Sequence, residues 1–226
     1  MIRKRAITIG IVVSLSAGSF AGTEVVFQNT NNNGWFTPFN SSNATTVRYG
    51  DSGWLGTTQP DFTLTRIVLG LVTENGTEPG IVDLSFTFHD GDPSGLVFGS
   101  GAELYATTIT DLVIPGGGAG PQFFELEIAL PNIVTTGGFN NIGWSIGLGN
   151  FDFDGDFGVQ VSSASGQLAG FYTNNASFYN GNSWSLFSFG SDPNTGVANF
   201  VATVYTPEPI TGALLALLGV CAWRRR

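Results

Sequence analysis

Residues 81–89 read IVDLSFTFH. In an extended chain Val82, Leu84, Phe86 and Phe88 point to one side, and Asp83, Ser85, Thr87 and His89 to the other. Residues 122–130, QFFELEIAL, repeat the pattern, with Phe124, Leu126, Ile128 and Leu130 opposed by Glu125 and Glu127. A period of two with one apolar side is a strand buried on one face. No stretch between Thr23 and Tyr205 shows a convincing 3.6-residue apolar period. Further strands are expected at 24–28, 45–49, 62–72, 103–114, 142–148, 157–162, 167–172, 183–187 and 197–205. In FTLTRIVLGLV (62–72) the alternation slips at Ile67-Val68-Leu69, which marks a bulge or a strand buried on both faces.

The separators are turn-forming: ENGTEPG (74–80), HDGDPSG (89–95), PGGGAGP (115–121), TTGGFNN (135–141), DFDGDFG (152–158) and SDPNTG (191–196). About ten strands at short spacing without helical crossovers predict an all-β fold, a single antiparallel β-sandwich of jelly-roll-like type, with an Ig-like sandwich as the alternative. Nineteen phenylalanines and 42% hydrophobic residues supply a core despite the 32 glycines.

Charge narrows the partners. Six of the eight Lys+Arg sit at the chain's extremes; between Gly22 and Thr206 only Arg48 and Arg66 are basic. Sixteen of the 17 acidic residues share that stretch, giving it a formal charge of −14. Nucleic-acid binding relies on Lys and Arg neutralising phosphates, so nucleic acid is excluded as a partner. Cys221, the one cysteine, lies in the tail, so the body has no disulfide.

The start, MIRKRAITIGIVVSLSAGSFAG, has a basic front (Arg3, Lys4, Arg5), an apolar stretch and a small-residue exit. Ser19 and Ala21 occupy the −3 and −1 places for cleavage after Ala21, the layout of a secretory signal peptide handled by signal peptidase. The expected organisation is a signal helix at 1–21, an acidic β-sandwich at 22–205 and a distinct tail at 206–226.

Chemistry is sparse. A Ser-His-Asp triad would have to use the single histidine, His89, which ends a strand and is expected at the surface. One histidine and no body cysteine do not make a zinc site. Glu125 and Glu127 project from one strand face as a carboxylate pair. Their ELEIAL context weakly resembles the E-x-D-x-x-E motif of jelly-roll glucanases. It departs from that motif at Glu127, where the family has Asp, and at Leu130, where it has its third acid. The resemblance would imply a glycosidase lacking its acid/base residue. In NFDFDGDFG, Asp152, Asp154 and Asp156 alternate, and three close carboxylates are a candidate Ca²⁺ site. The EF-hand pattern is not met, because Gly155 precedes the third Asp and Ser163 stands in the twelfth place. Asp90 and Asp92 in HDGDPSG form a second, weaker acidic turn. Trp144 is expected in the core. Trp35 and Trp54 lie in loop-like sequence and are candidates for stacking on a glycan.

The chain ends TPEPITGALLALLGVCAWRRR. Its apolar part, 210–223, is about 21 Å long as a helix at 1.5 Å per residue. A stable span needs ~20 residues. Arg224, Arg225 and Arg226 would keep the terminus cytoplasmic. Pro207-Glu208-Pro209, the short apolar helix and the arginine cluster, in that order, resemble the PEP-CTERM sorting domain of Gram-negative bacterial exported proteins. The match spans about twenty residues. It implies recognition by an exosortase, cleavage near Pro207–Pro209, transient membrane contact through the tail, and release or attachment at the cell surface, where such proteins accompany exopolysaccharide. The resulting expectation is a non-enzymatic, structural or adhesive surface or matrix protein without a required cofactor. A Ca²⁺-dependent carbohydrate-binding module is the alternative, and a secreted glycosidase comes third.

Overall fold

The computed structural model describes residues 23–30, 32–39, 42–55, 62–97, 99–116, 118, 120–135, 141–162, 167–172, 176–187 and 199–207. Ser19, Ala21, Glu208, Pro209 and Arg224–Arg226 lie outside them, so the signal and sorting segments have no structural account. Every regular element among the described residues is a strand.

The strands are β1 (Thr23–Asn29), β2 (Asn32–Phe39), β3 (Arg48–Trp54), β4 (Phe62–Glu74), β5 (Gly80–Gly91), β6 (Gly99–Ile114), β7 (Gln122–Thr135) and β8 (Asn141–Asp152). There follow β9 (Asp156–Ser162), β10 (Gln167–Ala169), β11 (Phe171–Tyr172), β12 (Ala176–Tyr179), β13 (Trp184–Phe187), β14 (Asn199–Phe200) and β15 (Ala202–Pro207). They form two antiparallel sheets stacked as a jelly-roll-like sandwich. The first runs β10-β1-β15-β4-β9-β14, with β2 beside β9 and β7 beside β4. The second runs β13-β12-β3-β8-β5-β6, with β11 beside β3. The chain moves back and forth between the sheets from β2 to β9. Eight-stranded and seven-stranded sheets also exceed the seven to nine strands in total of an Ig-like domain.

The 81–89 alternation holds: Val82, Leu84, Phe86 and Phe88 are fully buried. They face Ile67, Leu69 and Leu71 of β4 and the Phe27–Trp144–Tyr172 aromatic cluster inside one core. Phe27 meets Trp144 and Tyr172 edge-on at 5.5 and 4.8 Å. Each such side chain contributes about 1.5–3 kcal/mol by leaving water. The phase slip in β4 has both proposed causes. A bulge falls between Leu64 and Arg66 against β7, just before the slip. From Leu69 to Thr73 successive residues are buried on both faces, because β15, β9 and β7 flank the strand and the second sheet covers it.

Three expectations are corrected. The 32–39 segment is a strand, β2, paired to β9; its apolar run is short and Asn-rich, so period alone did not show it. The 45–49 strand starts later, because Asn43 O accepts from Thr46 N and Val47 N and holds 43–47 as a turn. Residues 176–179 form β12, which was not anticipated.

A carboxylate is among the polar groups buried in the sandwich. Asp51 projects inward from β3 and is fully buried. Its Oδ2 accepts from Phe200 N of the opposite sheet at 2.7 Å and its Oδ1 from Ser52 N at 2.8 Å. Burial raises its pKa well above the usual carboxylate range, outweighing the two N–H donors, and nearby Asp92 adds to the rise. An acid with a raised folded pKa gives its full stability below about 4 and loses it as pH rises towards the folded value. The Asp51→Asn variant lacks that titration. In urea denaturation the wild type's advantage over it is therefore expected to shrink steadily from pH 4 to pH 8; an advantage that grows would contradict the assignment. Asp51→Ala, which orphans two buried N–H groups, is expected to cost about 3–5 kcal/mol.

Candidate functional site

The outer face of the second sheet carries an organised set of polar side chains. Adjacent strands there place residues in rows. Tyr179, Arg48, Gly147 and Ser85 form one row; Ser177, Gly50, Ser145 and Thr87 form the next. His89 stands beside Gly143 in a third. Two glycines leave this face flat enough for the chain after β5 to lie on it. A Cβ on Gly143 would stand 1.7 Å from the Gly91 carbonyl oxygen, and one on Gly50 would stand 2.9 Å from Pro93 Cγ.

Asp92 anchors that covering segment. It is fully buried, and its carboxylate accepts from Ser94 N (3.1 Å), Leu96 N (3.1 Å) and Val97 N (3.2 Å). The hydroxyls of Ser94 and of Ser177 on β12 also donate to it. One carboxylate thus closes its own turn and ties the β5–β6 connection to the β12–β13 hairpin. The D-P-S-G sequence is the readable part of this arrangement, since Asp before Pro and Ser favours a turn closed by the Asp side chain.

His89 is inside, not at the surface: only 8% of it is exposed. Its Nδ1 is 3.0 Å from the Gly101 carbonyl, which can only accept, so Nδ1 carries the proton. Nε2 therefore accepts from the Ser145 hydroxyl at 2.9 Å. Burial lowers the histidine's pKa, the Gly101 bond opposes this, and Arg48 adds to the lowering. The bond sense matches a Ser-His pair, but Ser145 is 0% exposed and lies under the covering segment.

Arg48 crosses Gly147, and its Nη2 donates to Thr87 Oγ1 at 2.8 Å. Beside it, the 43–47 turn, Ser85, Gly147 and Tyr179 enclose a half-open depression of about 220 Å³. Tyr179 packs on Trp184 at 5.4 Å, and Trp184 meets the His89 ring edge-on at 6.5 Å. Sequence reading passed over Arg48; its isolation in a lysine-free acidic body was the available signal.

The sequence candidates are scattered by the fold. Trp35 is 63% exposed, on the irregular register of β2 between Asn32 and Phe36. Trp54 is half-buried in β3, paired to Phe171, and is not in a loop. Trp144 is in the core. Glu125 and Glu127 lie on the wet face of β7, and Glu127 pairs with Arg66 at 2.7 Å. Such an exposed pair is worth ~0–1 kcal/mol. Asp152, Asp154 and Asp156 do not converge: Asp154 accepts from Thr77 N (3.0 Å) and Thr77 Oγ1, while Asp156 accepts from Asn75 Nδ2 at 3.1 Å. Among the described residues no three His, Cys, Asp or Glu side chains are grouped to hold a metal ion.

No protein-family model matches the chain, and no curated protein matches it. Solved structures do. The infectious bursal disease virus Gx strain structure is similar at 13% identity and a TM-score of 0.28, over 89% of this chain and 42% of that one. The VP2 subviral particle of the same virus is similar at 14% identity and a TM-score of 0.30, with the same coverage. The chain spans less than half the length of those chains, and likeness at this level says nothing about function.

Two outcomes follow. Asp92→Ala, which leaves three part-buried N–H groups and the buried Ser177 hydroxyl without their acceptor, is expected to destabilise by about 3–5 kcal/mol in urea denaturation, whereas a loss below 1 kcal/mol would refute the anchoring role. The Thr77 hydroxyl, its largest influence, holds Asp154 below the usual carboxylate pKa. Thr77→Val should therefore raise the pH at which the Asp154 carboxyl carbon titrates by NMR; an unchanged midpoint would sever that link.

Proposed function

We propose that this is an exported, non-enzymatic protein of the cell surface or extracellular matrix, structural or adhesive, sorted through its C-terminal tail and associated with exopolysaccharide. The observation that carries the proposal is the tail: Pro207-Glu208-Pro209, a 210–223 apolar stretch too short for a comfortable span, and Arg224-Arg225-Arg226, in that order. Signal peptidase and an exosortase are its processing partners, and a Gram-negative-type envelope is its setting.

The body's construction supports the reading. β1 and β15 pair so that Thr23 lies opposite Pro207, the first residue of the Pro-Glu-Pro motif. Cleavage after Ala21, and C-terminal to Pro207, would leave that pairing whole. Both ring nitrogens of His89 and both carboxylate oxygens of Asp92 already serve internal contacts, which favours a scaffold over an active site. The Ca²⁺-dependent module keeps one supporting observation, the acidic 152–156 turn. Its Asp154 accepts from Thr77.

Mass spectrometry of the surface-associated protein tests the proposal. The expected species begins near Gly22 and lacks Arg224–Arg226. Surface protein that still carries Arg226 would overturn processing. For the Ca²⁺ alternative, a thermal midpoint that rises with Ca²⁺ in the wild type, and not after Asp152→Asn with Asp154→Asn, would displace the metal-free reading.

A further inference from the structure

Among the described residues Arg48 makes no ion pair, whereas the other cation of the body, Arg66, pairs with Glu127. Glu103 influences Arg48 only at longer range. Its Nε is enclosed without a partner and its Nη2 is spent on a neutral hydroxyl. A guanidinium left in this state matches a planar carboxylate, which its fork of donors can hold with two hydrogen bonds. The surroundings define what carries that carboxylate. The depression beside it is bounded by Thr45, Thr46, Ser85 and Tyr179, with Val47, Gly147 and Leu148 completing it, so hydroxyls and one aromatic side chain stand beside two aliphatic residues. Hydroxyls and one aromatic face suit a polyol ring better than an apolar side chain.

Size and charge restrict the ligand further. About 220 Å³ is below the ~300–1,000 Å³ of pockets that engulf a whole small molecule, so one unit of a longer chain fits the space better than a free cofactor. The body's −14 charge offers no long-range attraction to an anionic ligand, so such a ligand would have to be held by local pairing with Arg48.

We propose that the Arg48 depression is a subsite for a uronate unit of an acidic polysaccharide, its carboxylate on the Arg48 guanidinium and its ring against Tyr179. This rests on the surface-matrix reading above and assigns that reading a ligand class. It also moves sugar recognition away from Trp35 and Trp54 to the Arg48 row of the second sheet.

Titration calorimetry on the full chain in mild detergent tests it, with tetragalacturonate as probe and its methyl ester as the uncharged isostere. Binding of the acid is expected, weakened roughly tenfold or more by esterification. The same loss is expected in Arg48→Gln and in Ser85→Tyr, which fills the depression while keeping Arg48. Arg66→Gln, on the other sheet, should bind like the wild type. Circular dichroism shows whether each variant is folded; should Arg48→Gln unfold, Ser85→Tyr decides. Equal binding of acid and ester, no binding at millimolar probe, or full binding by Ser85→Tyr overturns the subsite. Equally strong binding of poly-glutamate, or of a sulfated oligosaccharide in place of the uronate, overturns the ligand class. Surface display with the tail removed would stand whatever the calorimetry gives, so the two proposals fail separately.

Discussion

The contact on which the sandwich depends joins residues 149 apart in sequence: the Asp51 carboxylate receives the Phe200 N–H across the core. Phe200 sits where the chain changes partners. β14 pairs with β9, Val201 then bridges Gln160 O and Gly70 N, and β15 continues along β4. A strand that shifts between neighbours leaves backbone groups aimed into the apolar interior, where each unmet donor or acceptor costs free energy. Two side chains of the other sheet meet them. Asp51 takes the Phe200 N–H, and the Tyr172 hydroxyl donates to the Phe200 carbonyl. Burial, aided by the charge of Asp51, raises the Tyr172 pKa well above its usual value, and its phenol stays a donor. The two sheets are thereby locked in register by hydrogen bonds as well as by apolar packing.

The sandwich margin carries features that discourage edge-to-edge pairing of strands. β6 and β7 end their sheets, with β6 bonded only to β5 and β7 only to β4 among the described residues. Long edges invite pairing with other chains, and bulges and charges discourage it. Both edges have these features. β6 carries bulges and the left-handed Asp111, and β7 carries the left-handed Asn132 with Glu125 and Glu127 exposed.

Legibility followed the range of the forces involved. The alternation at 81–89 and 122–130 was readable because one face of each strand meets the core. The 157–162 and 142–148 strands were readable from apolar density and flanking glycines. β2 and β12 were not, because Asn- and Ser-rich segments become strands only when a neighbour offers its backbone. Asp92 looked like a surface acid in a turn; only the covering of the second sheet buries it. His89 looked exposed at a strand end, and the return of the chain over Gly143 enclosed it. The three aspartates of 152–156 looked convergent in one dimension, yet the neighbouring 75–77 turn claims Asp154 and Asp156 separately.

By itself, then, the sequence determined the all-β class, the core-facing side of its main strands, the acidity of the body and the resemblance of the tail. These depend on local period, net charge and contiguous motifs, all of which are written along the chain. Tertiary structure decided which polar groups are buried, which of the two cations makes an ion pair and where a depression forms. Those properties depend on residues such as Arg48, Ser85 and Tyr179, which are far apart in sequence and become neighbours only when three strands align.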